Sequence, residues 1–321
     1  MSEKILLECS RLKKYFDTPR GMLHAVDDVS FQLREGTTLG IVGESGCGKS
    51  TLGRTLLRLI PSTDGTITFN GEDITKKSNN DMIPLRKEMQ MIFQDPFSSL
   101  DPKMSVSQII EEPLRIHKIY KNKEERSERV SQLMDIVGLD ERYVNVYPHE
   151  LDGGRRQRIG IARAIALNPK FIVCDEPVSA LDVSIQAQIL NLMMDLKDEL
   201  GLTYIFVTHD LSVVKHISDE ILVLYLGKMV EKTTSDRLFE NPLHPYTKAL
   251  LSAIPVPNIS SKGKEAEVMK GEVTSPIEPP EGCRFVARCP LTEDICSKET
   301  PEFVEVEENH FVACHLCRRE S

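Results

Sequence analysis

Residues 151–182 read LDGGRRQRIGIARAIALNPKFIVCDEPVSALD, and their order decides the fold. Gly153 and Gly154 open a basic helix, an apolar strand over 171–174 follows, and the strand ends in two carboxylates, Asp175 and Glu176. Open α/β sheets gather their ligands at the C-terminal ends of strands. Acids delivered there suit a clamp for a nucleoside triphosphate: Asp175 to hold Mg²⁺ through its water shell, Glu176 to polarise the attacking water. Asp152 is the discordant residue, a carboxylate where a phosphate is expected to approach.

Outward from this stretch, strand and helix alternate. The pattern predicts a helix over 185–200, a strand over 204–208, a short helix containing His216 and a strand over 221–226, which implies a mainly parallel sheet with helices on its faces. Upstream, residues 1–42 read as several short strands and 64–93 as further strand. A helix from about residue 49 to 60 is closed by Pro61. Charged helical periodicity dominates 105–150 and marks an inserted helical subdomain, placed at about 95–160 within a first domain of 1–254. Residues 255–282, rich in Pro, Ser, Lys and Glu, read as a linker, and 283–321 as a small cysteine-bearing extension. The expected fold class is α/β.

Between the strand at 39–42 and the first helix lies GESGCGKS, residues 43–50, which fits G-x-x-x-x-G-K-[ST] at every fixed position. In such a loop Gly43, Glu44, Ser45, Gly46, Cys47 and Gly48 turn backbone N–H groups toward phosphate oxygens. Lys49 adds a point charge, Ser50 offers a hydroxyl to Mg²⁺, and the helix that follows presents its positive end. Cys47 reads as a small side chain with no role of its own. His209 follows the strand at 204–208 and is placed to reach the γ-phosphate; Gln94 ends the strand at 91–93 and is placed to sense metal or water.

A formal net charge of −9 over 321 residues argues against a general nucleic-acid binder. No apolar run is long enough to span a bilayer, and the N-terminus lacks a signal peptide's apolar core. The expected location is therefore the cytoplasm, or a membrane face reached through other proteins. Of the eight cysteines, five lie at or beyond residue 283. Cys283, Cys289, Cys296 and Cys314 are spaced C-x5-C-x6-C-x17-C, four thiolates suited to an iron–sulfur cluster or Zn²⁺. Cys317 makes C-x-x-C with Cys314, a substitute ligand.

Together these motifs resemble the ATP-binding subunit of ABC transporters, a P-loop NTPase fold with a helical subdomain, over about residues 5–250. Residues 43–51, ending in Thr51, resemble the Walker A loop, Gln94 the Q-loop glutamine, 151–155 the signature motif, Asp175 and Glu176 the Walker B aspartate and catalytic glutamate, 179–182 the D-loop, and His209 the switch histidine. Phe16 aligns with the aromatic that stacks on adenine, with Tyr15 second. The stretch HPYTKALL, 244–251, narrows the resemblance to the C-terminal extension of oligopeptide and dipeptide importer ATPases.

The resemblance implies ATP and Mg²⁺ as cofactors and hydrolysis as the activity. It also implies a second, similar ATPase as partner, two membrane permeases as the docking site at the cytoplasmic face, and an external peptide-binding protein. The resemblance in the CRFVARCP stretch, 283–290, implies a [4Fe-4S] cluster of the kind such relatives can carry there, with Zn²⁺ as the second alternative and no metal as the third.

The family signature is L-S-G-G-Q, whereas this chain has Leu151, Asp152, Gly153, Gly154 and Arg155. An ionised Asp152 cannot donate the hydrogen bond a serine would, and like charges about 4 Å apart repel by roughly 1 kcal/mol in water and more at lower dielectric. Because Walker A, Glu176 and His209 are intact, the expectation is an asymmetric heterodimer whose Asp152-bearing site is the weaker. Importers of nickel chelates or oligosaccharides share the pattern. A non-transport, redox-regulated ABC ATPase is the reading from another class.

Overall fold

The computed structural model describes residues 4–253 and 275–317. Most of the expected linker, and the last four residues of the extension, lie outside the described residues. The chain opens with β1 (Ile5–Thr18), β2 (Gly21–Arg34), β3 (Thr38–Val42), α1 (Lys49–Leu56), β4 (Asp64–Phe69), β5 (Glu72–Asp73), α2 (Asn79–Glu88) and β6 (Met89–Ile92). Four helices follow: α3 (Pro96–Ser99), α4 (Val106–Ile116), α5 (Lys123–Ile136) and α6 (Gly153–Ile165). Strand and helix then alternate through β7 (Phe171–Asp175), α7 (Val183–Leu200), β8 (Thr203–Thr208), α8 (Leu211–Ile217), β9 (Glu220–Tyr225) and β10 (Lys228–Thr234). After α9 (Ser235–Glu240) and α10 (Pro245–Ser252), the C-terminal region ends in a hairpin, β11 (Val304–Glu307) and β12 (His310–Val312).

The residues divide into two compact units. One holds Arg34–Thr37 and Lys76–Phe206; the other holds Ile5–Leu33, Thr38–Thr75 and the described residues from Val207 onward.

In the first unit the strand order is β8-β7-β6, and β6 runs parallel to β7 with Met89 opposite Phe171 and Ile92 opposite Cys174. Residues 171–174 of β7 are fully buried, as a strand covered on both faces must be. Two helices of this unit, α4 and α7, each bury a single stripe. In α4 the stripe is Val106, Ile109, Ile110 and Leu114, spaced for one helical face, and the helix opens on a Ser105/Gln108 capping box. The longer α7 buries Ile189, Leu190, Met193 and Leu196 and stops at Gly201, whose φ of 63° no longer fits a helix.

In the second unit β2-β1-β4-β5 form an antiparallel sheet, with Leu7 opposite Phe69 and Cys9 opposite Ile67. A second sheet runs β11-β12-β10-β9-β3. It is parallel only at β3 and β9, where Leu39 faces Glu220 and Val42 faces Val223, and antiparallel from β9 outward. Val42, Tyr225, Tyr246 and Phe285 share one buried core, so the C-terminal region contributes to the same core as the strand that leads into the glycine loop. The hairpin is pinned by a buried pair, His310 Nε2 to Glu231 Oε1 at 2.7 Å, and Glu231 also accepts the N–H groups of Leu243 and His244.

Three sequence expectations need correction. Residues 64–93 are not continuous strand: α2 lies between β5 and β6, opened by a Ser78/Asp81 capping box. The short strands expected before residue 35 are two 14-residue strands, because Arg11 (φ 46°) and Asp28 (φ 63°) interrupt the alternation within them and the β1 register slips between Ser10 and Lys13. The first helix ends at Leu56, before Pro61, since Arg58 turns left-handed at φ 54°.

Candidate nucleotide site

The glycine loop belongs to the second unit. Buried β3 delivers the chain to it, and α1 begins at its far end. Gly48, the residue before α1, has φ 105°, and a Cβ there would stand 1.9 Å from the Ala25 carbonyl oxygen; at Gly43 it would stand 2.2 Å from that of Leu224. Only glycine fits either place. No side chain caps α1 and its first turn carries no acid, so no carboxylate of the helix neutralises its positive end.

Lys49 is 4% exposed, and its ammonium donates to the Gly43 and Glu44 carbonyls at 2.7 and 2.9 Å, drawn across the mouth that an anion would fill. Ser45 and Gly46 are exposed at the tip; Ser50 and Thr51 lie in the first turn of α1. Cys47 is buried, and burial pushes its thiol up. Tyr15 is committed elsewhere: its ring stacks on His24 at 4.0 Å and its hydroxyl donates to Asp27 at 2.5 Å. Phe16 is half-buried, with the Lys14 ammonium 4.7 Å from its ring centre.

The carboxylates belong to the first unit. Asp175, 1% exposed, ends β7. Glu176 turns left-handed immediately after it, φ 46°, a strained conformation for a side chain of this size and one that directs the chain off the strand end. Gln94 Nε2 donates to Glu176 Oε2 at 2.9 Å, bringing two of the expected site residues together. Asp182 accepts from the Ile185 N–H at 3.0 Å and caps α7, fixing the segment after Glu176. His209 is exposed directly after β8, in the second unit.

Asp152 has a structural task the sequence reading missed. It caps α6, accepting from the Arg155 N–H at 2.8 Å, and its other oxygen pairs with the Arg155 guanidinium. That guanidinium also lies 5.1 Å from the Tyr143 ring centre. Gly153 and Gly154 form the first turn of the helix, where a Cβ on Gly154 would stand 2.7 Å from Ile185 Cγ2.

A family model described as ABC transporter matches residues 26–179, and one described as oligopeptide/dipeptide transporter, C-terminal region, matches 230–296. The oligopeptide transport ATP-binding protein AppF of Bacillus subtilis is 53% identical, with 98% of each chain covered. OppF of Salmonella typhimurium is 49% identical over 97% of this chain and 96% of its own. This chain belongs to the oligopeptide transport family of ABC ATP-binding proteins. Among solved structures it is similar to the cassette MJ0796, in a dimeric post-hydrolysis state bound to ADP and Pi, at 28% identity and a TM-score of 0.67, covering 72% of this chain and 99% of that one. The fold is that of an ABC ATPase cassette, and the activity of the family is ATP-dependent.

In this ABC ATPase four of the five cysteines of the C-terminal region come to one place. Cys283, Cys289, Cys296 and Cys314 line the same small cavity of about 10 Å³, with His244, Phe285 and His315. Burial pushes the Cys283 thiol up to about 11 and raises that of Cys289, whereas Cys317, hydrogen-bonded to Cys314, draws the Cys314 thiol down to about 6. The thiols surround the cavity without converging: among the described residues, no three His, Cys, Asp or Glu side chains form a group that could hold a metal ion. Among the described residues, no helix is long and apolar enough to cross a membrane.

Two further residues escaped the sequence reading. Tyr246 and Arg288 both bond to Glu44 of the glycine loop. Each sits inside a stretch already singled out, HPYTKALL and CRFVARCP, where the cysteines and the family pattern drew attention instead.

Proposed function

We propose that this ABC ATPase powers import of di- or oligopeptides from the cytoplasmic face of a membrane, docked on two permeases that receive peptide from an external binding protein. The observation that carries the nucleotide part is Lys49, held across the mouth of an uncapped helix after a buried strand. Residues 43–51 would wrap the β- and γ-phosphates while Phe16 stacks on adenine. Ser50 and Asp175 offer the hard oxygens that Mg²⁺ prefers, and the ion would neutralise charge developing on the phosphate oxygens. Glu176 polarises the attacking water, which displaces ADP from the γ-phosphorus; Gln94, bonded to Glu176 before nucleotide arrives, releases it on closure; His209 contacts the γ-phosphate. The peptide assignment draws on the names of AppF and OppF and on the match at 230–296.

The partner we infer is a second, non-identical ATPase subunit. Asp152, Gly153 and Gly154 would face that subunit's bound ATP, and Asp152 makes this the weaker of two unequal sites. In domain terms, 1–254 is the ATPase domain with its helical part at about 95–160, and 283–321 is the extension. Four thiols around one cavity have the donor chemistry for a [4Fe-4S] cluster, with Zn²⁺ second; either would be structural. Iron, zinc and acid-labile sulfide analysis of anaerobically purified protein tests this, and protein free of both metals refutes it.

The transport reading is tested by rebuilding the complex in proteoliposomes and measuring ATP-driven uptake. Labelled oligopeptide should accumulate, and Lys49→Ala should stop it. Uptake of a nickel chelate or an oligosaccharide but not of peptide would replace the substrate assignment.

A further inference from the structure

The C-terminal region grips the glycine loop at Glu44, and almost every polar group of that residue is taken. Its N–H donates to the Tyr246 hydroxyl at 2.8 Å. Its carboxylate accepts two bonds from the Arg288 guanidinium, at 2.6 and 2.9 Å. Its carbonyl accepts from Lys49 at 2.9 Å. The Arg288–Glu44 pair is fork-to-fork and largely withdrawn from water, with side-chain exposures of 6% and 21%. This is the geometry in which an arginine–carboxylate pair holds position rather than decorating a surface.

The platform beneath it is built of packed aromatic rings. Tyr225 meets Tyr246 edge-on at 4.6 Å and Phe285 at 5.2 Å, and the Arg288 guanidinium lies 5.9 Å from the Tyr225 ring centre. The segment bearing Arg288 is fixed again by Arg284, bonded to Asp27 at 2.5 Å, and by the Cys283 N–H, bonded to the Cys296 carbonyl at 2.7 Å.

We propose that Arg288, with Tyr246, is a positioning residue of the ATP site: it holds the leading end of the phosphate loop open from the C-terminal region, so that ATP affinity depends on that region. The proposal rests on reading residues 43–51 as the phosphate loop. The need arises when nucleotide enters. Lys49 must then leave the Gly43 and Glu44 carbonyls for phosphate oxygens, and the loop loses the internal bonds that span its mouth. The bonds to Arg288 and Tyr246 stay, because they approach Glu44 from outside the loop.

The test is ATP titration of the full-length chain, with melting recorded without nucleotide, and ATPase kinetics of the assembled transporter. Arg288→Ala and Glu44→Ala should each weaken ATP binding about tenfold and raise KM more than they lower kcat. Arg288→Ala should also lower the nucleotide-free melting temperature, because it leaves the Glu44 carboxylate unpaired. Arg288→Lys should recover part of the loss, since one ammonium replaces a fork. The double variant should be no worse than the weaker single one. Wild-type ATP affinity in Arg288→Ala, or additive losses in the double variant, would overturn the clamp. Should Arg288→Ala fail to fold, Arg288→Lys and Glu44→Gln decide by the same KM criterion. Lys49→Ala separates the two failures: undiminished ATP binding there removes the phosphate-loop reading itself, whereas loss there with none in Arg288→Ala removes only the clamp.

Discussion

Two helices in this protein start beside glycines and differ in what lies at their N-terminal ends. α1 follows Gly48 with no side-chain cap and no acid in its first turn, and its one buried cation, Lys49, is folded over the entrance. α6 follows Asp152, which caps it and is itself paired with Arg155. The first arrangement leaves the positive helix end without a carboxylate of its own, and its lysine rests on two loop carbonyls that an incoming anion would replace. The second has already supplied its own anion. Similar glycine-led beginnings thus give one helix start open to an anion, after residue 48, and one that already holds its own carboxylate, after residue 152. This difference is what supports the proposal of two unequal ATP sites.

The largest effects should come from the cradle. Lys49→Ala should abolish ATP binding and lower turnover by at least about a hundredfold, measured as phosphate release by the assembled complex. Glu176→Gln should lower turnover by a similar factor while ATP still binds, because it removes the group that polarises water and leaves the cradle intact. Equal ATP affinity in Lys49→Ala and wild type would erase the contrast between the two helices.

Matched glycine substitutions probe the same contrast at the next level. In Gly48→Ala the new methyl would meet the Ala25 carbonyl at 1.9 Å on a backbone at φ 105°, so neither side can yield. In Gly154→Ala it would meet the Cγ2 methyl of Ile185 at 2.7 Å on ordinary helical backbone, a side-chain contact that a small shift of α7 can relieve. ATP binding should therefore collapse in the first variant, and in the second this chain's own ATP affinity should stay within about twofold of wild type, the cost appearing as a lowered melting temperature. The reverse ranking would mean that loop shape is not what distinguishes them.

How much of this could be read from the chain varied with how local the cause was. The glycine loop, β7 with its terminal acids, and α7 were legible because fixed spacing, an unbroken apolar run and 3.6-residue periodicity each act over a few neighbouring residues. The strands before residue 35 were not, because Arg11 and Asp28 take left-handed conformations that break the alternation inside a continuous strand. Helix α2 was missed between two strands although Ser78 and Asp81 form its capping box. At the site, Lys49, Asp175 and Glu176 announce themselves by motif. The bonds of Arg288 and Tyr246 to Glu44 do not, since they join positions separated by 244 and 202 residues and are set by tertiary packing alone. Asp152 was read as a charge in the wrong place. Its second role as a helix cap was available from the sequence, because Asp is among the preferred N-cap residues.

That double role sets the smallest and most discriminating prediction. Asp152→Ser keeps an oxygen for the Arg155 N–H and removes the negative charge, whereas Asp152→Ala removes both. The melting temperature of the chain should be unchanged in the serine variant and lower in the alanine variant, reflecting a cap worth about 1 kcal/mol. ATP affinity at the site completed by the partner should rise in both, by roughly fivefold if the full aqueous repulsion of about 1 kcal/mol is relieved. The pairing with Arg155 offsets part of that repulsion, but only part, because the two side chains are 56% and 42% exposed and such pairs are weak. Adding Arg155→Gln to Asp152→Ser, which recreates the family signature, should give a smaller gain than the serine alone, since it also withdraws a cation that the freed site could turn toward phosphate. If Asp152→Ser leaves both ATPase rate and ATP affinity of the assembled complex unchanged while Asp152→Ala still melts early, Asp152 is a cap only. The inequality of the two sites would then have to come from the partner subunit.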